Sequence, residues 1–107
     1  MSNMRQATQE FVLLKVMEGE RAITDALSTV PPTDRRYQRF DQSLRVIRGV
    51  YRAIAEKPMQ EATEALAWLN SANAELKKRE DGEVPPSVKL AIRYLKQGCV
   101  KLRAEKE

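Results

Sequence analysis

Residues 4–14 read MRQATQEFVLL, and residues 59–69 read MQEATEALAWL. At an offset of 55, Met4, Ala7, Thr8 and Leu14 meet identical residues at Met59, Ala62, Thr63 and Leu69, and Phe11 meets Leu66. A second word recurs at an offset of 54: VPPT begins at Val30 and VPPS at Val84. Each time, an apolar-periodic segment ends, two prolines follow and another such segment begins. The pattern reads as one helical hairpin of about 54 residues written twice. Resemblance by chance between amphipathic helices is the competing reading.

Charge favours duplication. Residues 1–30 carry three bases and four acids; residues 31–57 carry seven bases and three acids. Residues 58–76 carry no base and three acids; residues 85–107 carry six bases and two acids. The order along the chain is acidic, basic, acidic, basic.

Periodicity predicts four helices, over about 4–28, 34–57, 59–79 and 87–104. In the second, Tyr37, Phe40, Leu44, Ile47, Tyr51 and Ile54 step by threes and fours, which lays one apolar stripe along one side. Thr33 or Asp34 is positioned to cap its start, and Pro58 ends it. In the third, Ala62, Leu66, Leu69 and Leu76 mark an inner face that Asn73 interrupts. In the fourth, Val88, Ile92, Leu95, Cys99 and Leu102 repeat the stepping. No segment alternates as a strand does.

A hairpin with two apolar stripes cannot bury both alone. Two hairpins face to face can, so the expected fold is all-α: a four-helix bundle with pseudo-twofold symmetry in a single domain, residues 1–107. Hairpin one covers about 4–57 and hairpin two about 59–104. Hairpins completed only by dimerisation are the alternative. At 107 residues, there is room for one core.

Composition excludes much chemistry. There is no histidine, which removes the usual general base and the usual zinc ligand. The one cysteine, Cys99, builds neither a disulfide nor a thiolate metal site, and suits a reducing cytoplasm. The four glycines, Gly19, Gly49, Gly82 and Gly98, are scattered and form no phosphate loop. The acidic clusters Glu18 with Glu20, Glu61 with Glu64, and Glu80, Asp81 and Glu83 fall outside the inward helical positions. The expectation is no enzyme, no metal and no cofactor. Neither a signal peptide nor a membrane span is visible.

Binding surfaces remain. The first helix is apolar nearly all round from Phe11 to Met17: Val12, Val16, Ile23 and Leu27 form one stripe, and Met4, Phe11 and Leu14 a second. One core needs one stripe, so a second leaves a face for a partner or places the helix centrally. Trp68 projects about 120° from the middle of its helix's inner face, at the margin where interface anchors sit. Arg35, Arg36 and Arg39 crowd the positive end of a helix dipole, which is unfavourable unless something there binds them. By contrast, Arg45 and Arg52 have i,i+4 acids in Asp41 and Glu56.

These residues point to a non-enzymatic helical module that contacts another protein stoichiometrically, as adaptor, regulator or inhibitor, and that also self-associates as a homo-oligomer. Its expected protein-binding residues are Phe11, Leu13, Met17 and Trp68, rimmed by Arg35, Arg36 and Arg39. The alternative partner is nucleic acid. Lys89, Arg93, Lys96 and Arg103 fall within about 80° of one another at 100° per residue and would track a phosphate backbone. A decoy that occupies a nucleic-acid-binding protein's site combines the two. Gly49 is the odd residue, mid-helix and opposite the apolar stripe.

Overall fold

The structure, a computed structural model, describes residues 4–57, 61–78 and 84–106. Four helices follow in order: α1 (Gln6–Leu27), α2 (Arg35–Ala55), α3 (Ala62–Lys77) and α4 (Pro86–Lys106). There is no strand among the described residues. The expected helix start at Met59, stop at Pro58 and end at Arg79, and the acidic trio Glu80, Asp81 and Glu83, lie outside the described residues. No helix is long and apolar enough to cross a membrane.

Helix α1 packs between α2 and α4, and α3 packs between the same two, so α1 and α3 stand at diagonal corners of a four-helix bundle. The core runs along its axis: Val12, Val16 and Ile23 from α1, Phe40, Leu44, Ile47 and Ile54 from α2, Leu69 and Leu76 from α3, and Val88, Leu95 and Leu102 from α4. Burying each such side chain contributes about 1.5–3 kcal/mol. This ring also makes every neighbour opposite in charge. Arg48 of α2 meets Glu20 of α1 at 3.6 Å, and Lys57, just after α2, meets Glu64 of α3. Each exposed pair contributes little, but together they favour this neighbour order over its permutations.

The two hairpins repeat one another in burial rather than in residue identity. Val12, Val16, Gly19 and Ile23 are buried in α1, and Ala65, Leu69, Ala72 and Leu76, each 53 positions later, are buried in α3. Phe40, Ser43, Leu44, Ile47, Val50 and Ile54 correspond in the same way to Val88, Ala91, Ile92, Leu95, Gly98 and Leu102, each 48 positions later. The shared residues at offset 55 sit in unlike places. Thr8 is buried and Thr63 exposed; Leu14 is exposed and Leu69 buried. The proline words differ too: Pro31 and Pro32 precede the Asp34 cap of α2, whereas Pro86 is the first residue of α4.

Small residues draw the hairpins together along the seam of α1 and α4. A Cβ at Gly19 would lie 3.4 Å from the Cβ of Ala91, and one at Gly98 would lie 3.8 Å from Val12; within the second hairpin, the same Cβ would lie 3.2 Å from Leu69 of α3. Asn73, the interruption in the third stripe, is turned inward, and its Oδ1 has no partner among the described residues. Such an orphan costs about 1–3 kcal/mol.

The helix ends are stitched by side chains from other elements. The start of α1 lacks its own cap: the Arg5 side chain at the N-cap makes no capping hydrogen bond. The Glu105 carboxylate on α4 accepts instead from the Arg5 backbone N–H at 2.6 Å and from the buried Thr8 hydroxyl. It does for α1 what a glutamate in the first turn does in a capping box. The Gln9 side-chain amide donates to the Ile54 carbonyl at 2.9 Å, where α2 runs out of partners. Asp34 caps α2, accepting from the Arg36 backbone N–H at 2.8 Å.

Both capping carboxylates are more acidic than usual. Hydrogen bonds from the Arg36 guanidinium, then from its backbone N–H, hold Asp34 at about 2. The Thr8 hydroxyl, then the Arg5 N–H, hold Glu105 below its ordinary 4.5. A lowered folded pKa stabilises the fold above the unfolded value and is lost as pH falls towards the folded one. We expect the thermal midpoint to hold down to about pH 4.5 and to fall between there and about pH 2. Glu105→Gln should lower the midpoint at neutral pH and flatten the acid limb, read by circular dichroism melts. Gly49 is exposed with nothing within 4 Å of an added Cβ. Gly49→Ala should therefore raise stability by about 0.5–1 kcal/mol in a denaturant titration.

Candidate protein-binding surface

Helix α1 has two neighbours and so turns three of its sides to protein. Val12, Val16 and Ile23 enter the core, and Leu13 and Leu27 pack half-buried against it. Phe11 sits on the seam with α4. The Lys15 ammonium lies 5.5 Å from its ring centre and that of Lys101 lies 5.8 Å away. Lys15 also reaches Tyr94 at 5.6 Å and Glu18 at 3.4 Å. The second apolar stripe of α1 is thus divided. Met4 is buried, Phe11 is half-buried beneath two lysines, and Leu14 is left outside.

The fourth side faces away from the bundle. Leu14 and Met17 stand there, each 50% exposed. Beside them, an open groove of about 490 Å³ lies between α1 and α2, with Leu14, Met17 and Tyr51 as its apolar wall and Glu20, Arg21 and Thr24 at its edge. Arg48 holds Glu20 in place from α2. A surface of this kind, apolar in the middle and charged at its border, is suited to shape-matched contact with another polypeptide.

The residues expected to act together are not all brought together. Met17 lies at the groove and Phe11 on the opposite flank of α1, while Leu13 supports the core. Trp68 is 45% exposed, but it belongs to α3, at the diagonal corner from α1. It lies on the flank that carries Glu64, towards α2. The arginines gather at the end of the bundle where α2 starts and α3 stops. Arg35 is exposed. Arg36 grips the Asp34 carboxylate at 2.9 Å, and Arg39 donates to the Lys78 carbonyl at 2.9 Å, at the negative end of α3. The placement of Arg36 and Arg39 against the α2 dipole is thereby offset within the fold.

The basic face of α4 is open. Lys89, Arg93, Lys96 and Arg103 are all exposed, and no described acid forms an ion pair with any of them. Val100, 63% exposed, stands among them. Cys99, one residue earlier, points inward, and burial pushes its thiol up although the charge of Arg103 opposes this. The thiol faces Asn70 Oδ1 at 3.6 Å. No group of three His, Cys, Asp or Glu side chains that could hold a metal ion occurs among the described residues.

Sequence reasoning assigned Leu14 to a stripe but not to the site, and missed Tyr51 and Val100. The signal for Leu14 was its rotation of about 160° from each of Val12 and Val16, on either side, at 100° per residue. Tyr51 gave none, because only the packing of α1 against α2 decides which edge of its stripe borders a groove.

In comparisons with protein-family models, curated proteins and solved structures, no match to this chain was found.

Leu14 and Met17, half exposed, stand outside the core. Met17→Lys should change stability by less than about 0.5 kcal/mol. Ile23→Ala, one helix face away, should cost about 2–5 kcal/mol. Urea titrations of the two variants test the division.

Proposed function

We propose that this chain is a non-catalytic, cytoplasmic protein-binding module that acts stoichiometrically on a partner protein, as adaptor, regulator or inhibitor. The observation that carries this reading is the half-exposed pair Leu14 and Met17 beside the open groove of α1 and α2. On a surface otherwise dense in charge, two large flexible side chains lose contact with water only if something covers them. The partner's side chains would enter the groove, and the charges at its edge would set orientation. Trp68 marks a second, separate contact on α3.

A second reading is supported by the open basic face of α4. Lys89, Arg93, Lys96 and Arg103 would contact successive phosphates of a nucleic acid, or occupy the acidic patch of a protein in a nucleic acid's place. Binding of that kind weakens steeply with salt, by a logarithmic slope of about 0.9 per phosphate contact on duplex DNA.

The immobilised protein, incubated with nuclease-treated lysate of its source cells, separates these readings. We expect a protein partner to be retained by wild type and by Lys96→Glu, and to be lost at least tenfold with Met17→Arg. Material that disappears on nuclease treatment, or with Lys96→Glu but not with Met17→Arg, would overturn the protein reading in favour of the second.

A further inference from the structure

The outer face of α1 carries a pattern that matches itself. Glu10, Leu14, Met17 and Arg21 are all exposed. At 100° per residue they fall within about 60° of one another. Their spacings are four, three and four residues, which reads the same in both directions, and the charges at the two ends are opposite. The Glu10 carboxylate has only a long hydrogen bond from the Gln6 amide, at 3.4 Å. Among the described residues, neither Glu10 nor Arg21 forms an ion pair.

We propose that this face pairs with the same face of a second copy. The two α1 helices run antiparallel about a twofold axis that passes between Lys15 and Val16. Leu14 of each copy then lies on Met17 of the other, and Glu10 of each faces Arg21 of the other. Both pairings centre on the same point of the helix, so one axis satisfies all four contacts, as a self-complementary twofold interface demands. A parallel pairing would set Glu10 against Glu10 and Arg21 against Arg21, so charge selects the antiparallel one. The next positions outward, Ala7 and Thr24, also meet, and both are exposed and small. The second copy's Leu14 arrives at the mouth of the groove beside Tyr51. A single helix pair makes a small interface, at the low end of about 1,200 Å² or less, so the dimer is reversible.

This inference rests on the reading that the outer side of α1 is a contact surface, and it names the first occupant. Sedimentation velocity from submicromolar to submillimolar concentration tests it, with circular dichroism to confirm that each variant is folded. Wild type is expected to dimerise with rising concentration. Glu10→Arg alone and Arg21→Glu alone each set two like-charge contacts in every dimer and should weaken association roughly tenfold or more. An equimolar mixture of the two variants restores opposite charges at both ends, and should recover association as a mixed dimer. Leu14→Arg should abolish it.

Wild type that stays monomeric throughout would overturn the proposal, as would a dimer indifferent to both charge reversals. A monomer that still retains a foreign protein, lost with Met17→Arg, would overturn the dimer and leave the contact-surface reading standing. A charge-sensitive dimer whose capture of other proteins is unchanged by Met17→Arg would support the dimer and overturn the wider reading.

Discussion

The close approach of α1 to α4 is the constraint on which the bundle depends. Each hairpin alone leaves an apolar stripe in water, and the remedy is contact with the other hairpin. Glycine and alanine face one another there, at Gly19 with Ala91, and Gly98 admits Val12. Interior packing leaves few voids, so the positions of α2 and α3 follow once this seam is set. They fill the remaining corners, and the sign of their charge agrees with the result. Asn73 of α3 is turned into the same interior, and its carbonyl oxygen has no partner among the described residues.

The same constraint creates the exposed face. A helix clasped by α4 on one side and α2 on the other, with the core between, has one direction left. Side chains that are apolar there serve no purpose inside the molecule. On α2, α3 and α4 the corresponding positions are mostly polar or small, although Trp68, Leu90 and Val100 are exceptions. On α1 they are Leu14 and Met17, adjacent in height and bordered by charge.

Most of the architecture was legible in the sequence because it rests on periodicity. The stripes of α2 and α4 matched the buried residues closely, with Tyr37 and Tyr51 at the margins, and Asp34 capped as its side chain and position implied. Legibility failed where the cause lay far along the chain. Nothing near Arg5 indicates that Glu105 completes its turn. Nothing near Arg39 indicates that the open end of α3 lies beside it. Likewise, Gly19 and Gly98 read as scattered glycines until the helices that approach them are known. The repeat was a true guide to two hairpins and a poor guide to equivalent residues. Burial follows the phase of each helix, and that phase departs from the offset of the identities by two residues between α1 and α3 and by six between α2 and α4. For the site, exposure at Met17 and Trp68 could be read from helical angle, but not that they lie on different corners.

The capping of α1 from α4 couples the two hairpins. Thr8 and Glu105 are 97 residues apart in the chain, so this cap spans the junction of the two hairpins. The opening turn of α1 has its cap only while α4 is in place beside it. Only when the second hairpin docks does that turn lock. Docking and helix completion become one event, so the two halves, though each resembles a folding unit, acquire their last structure together.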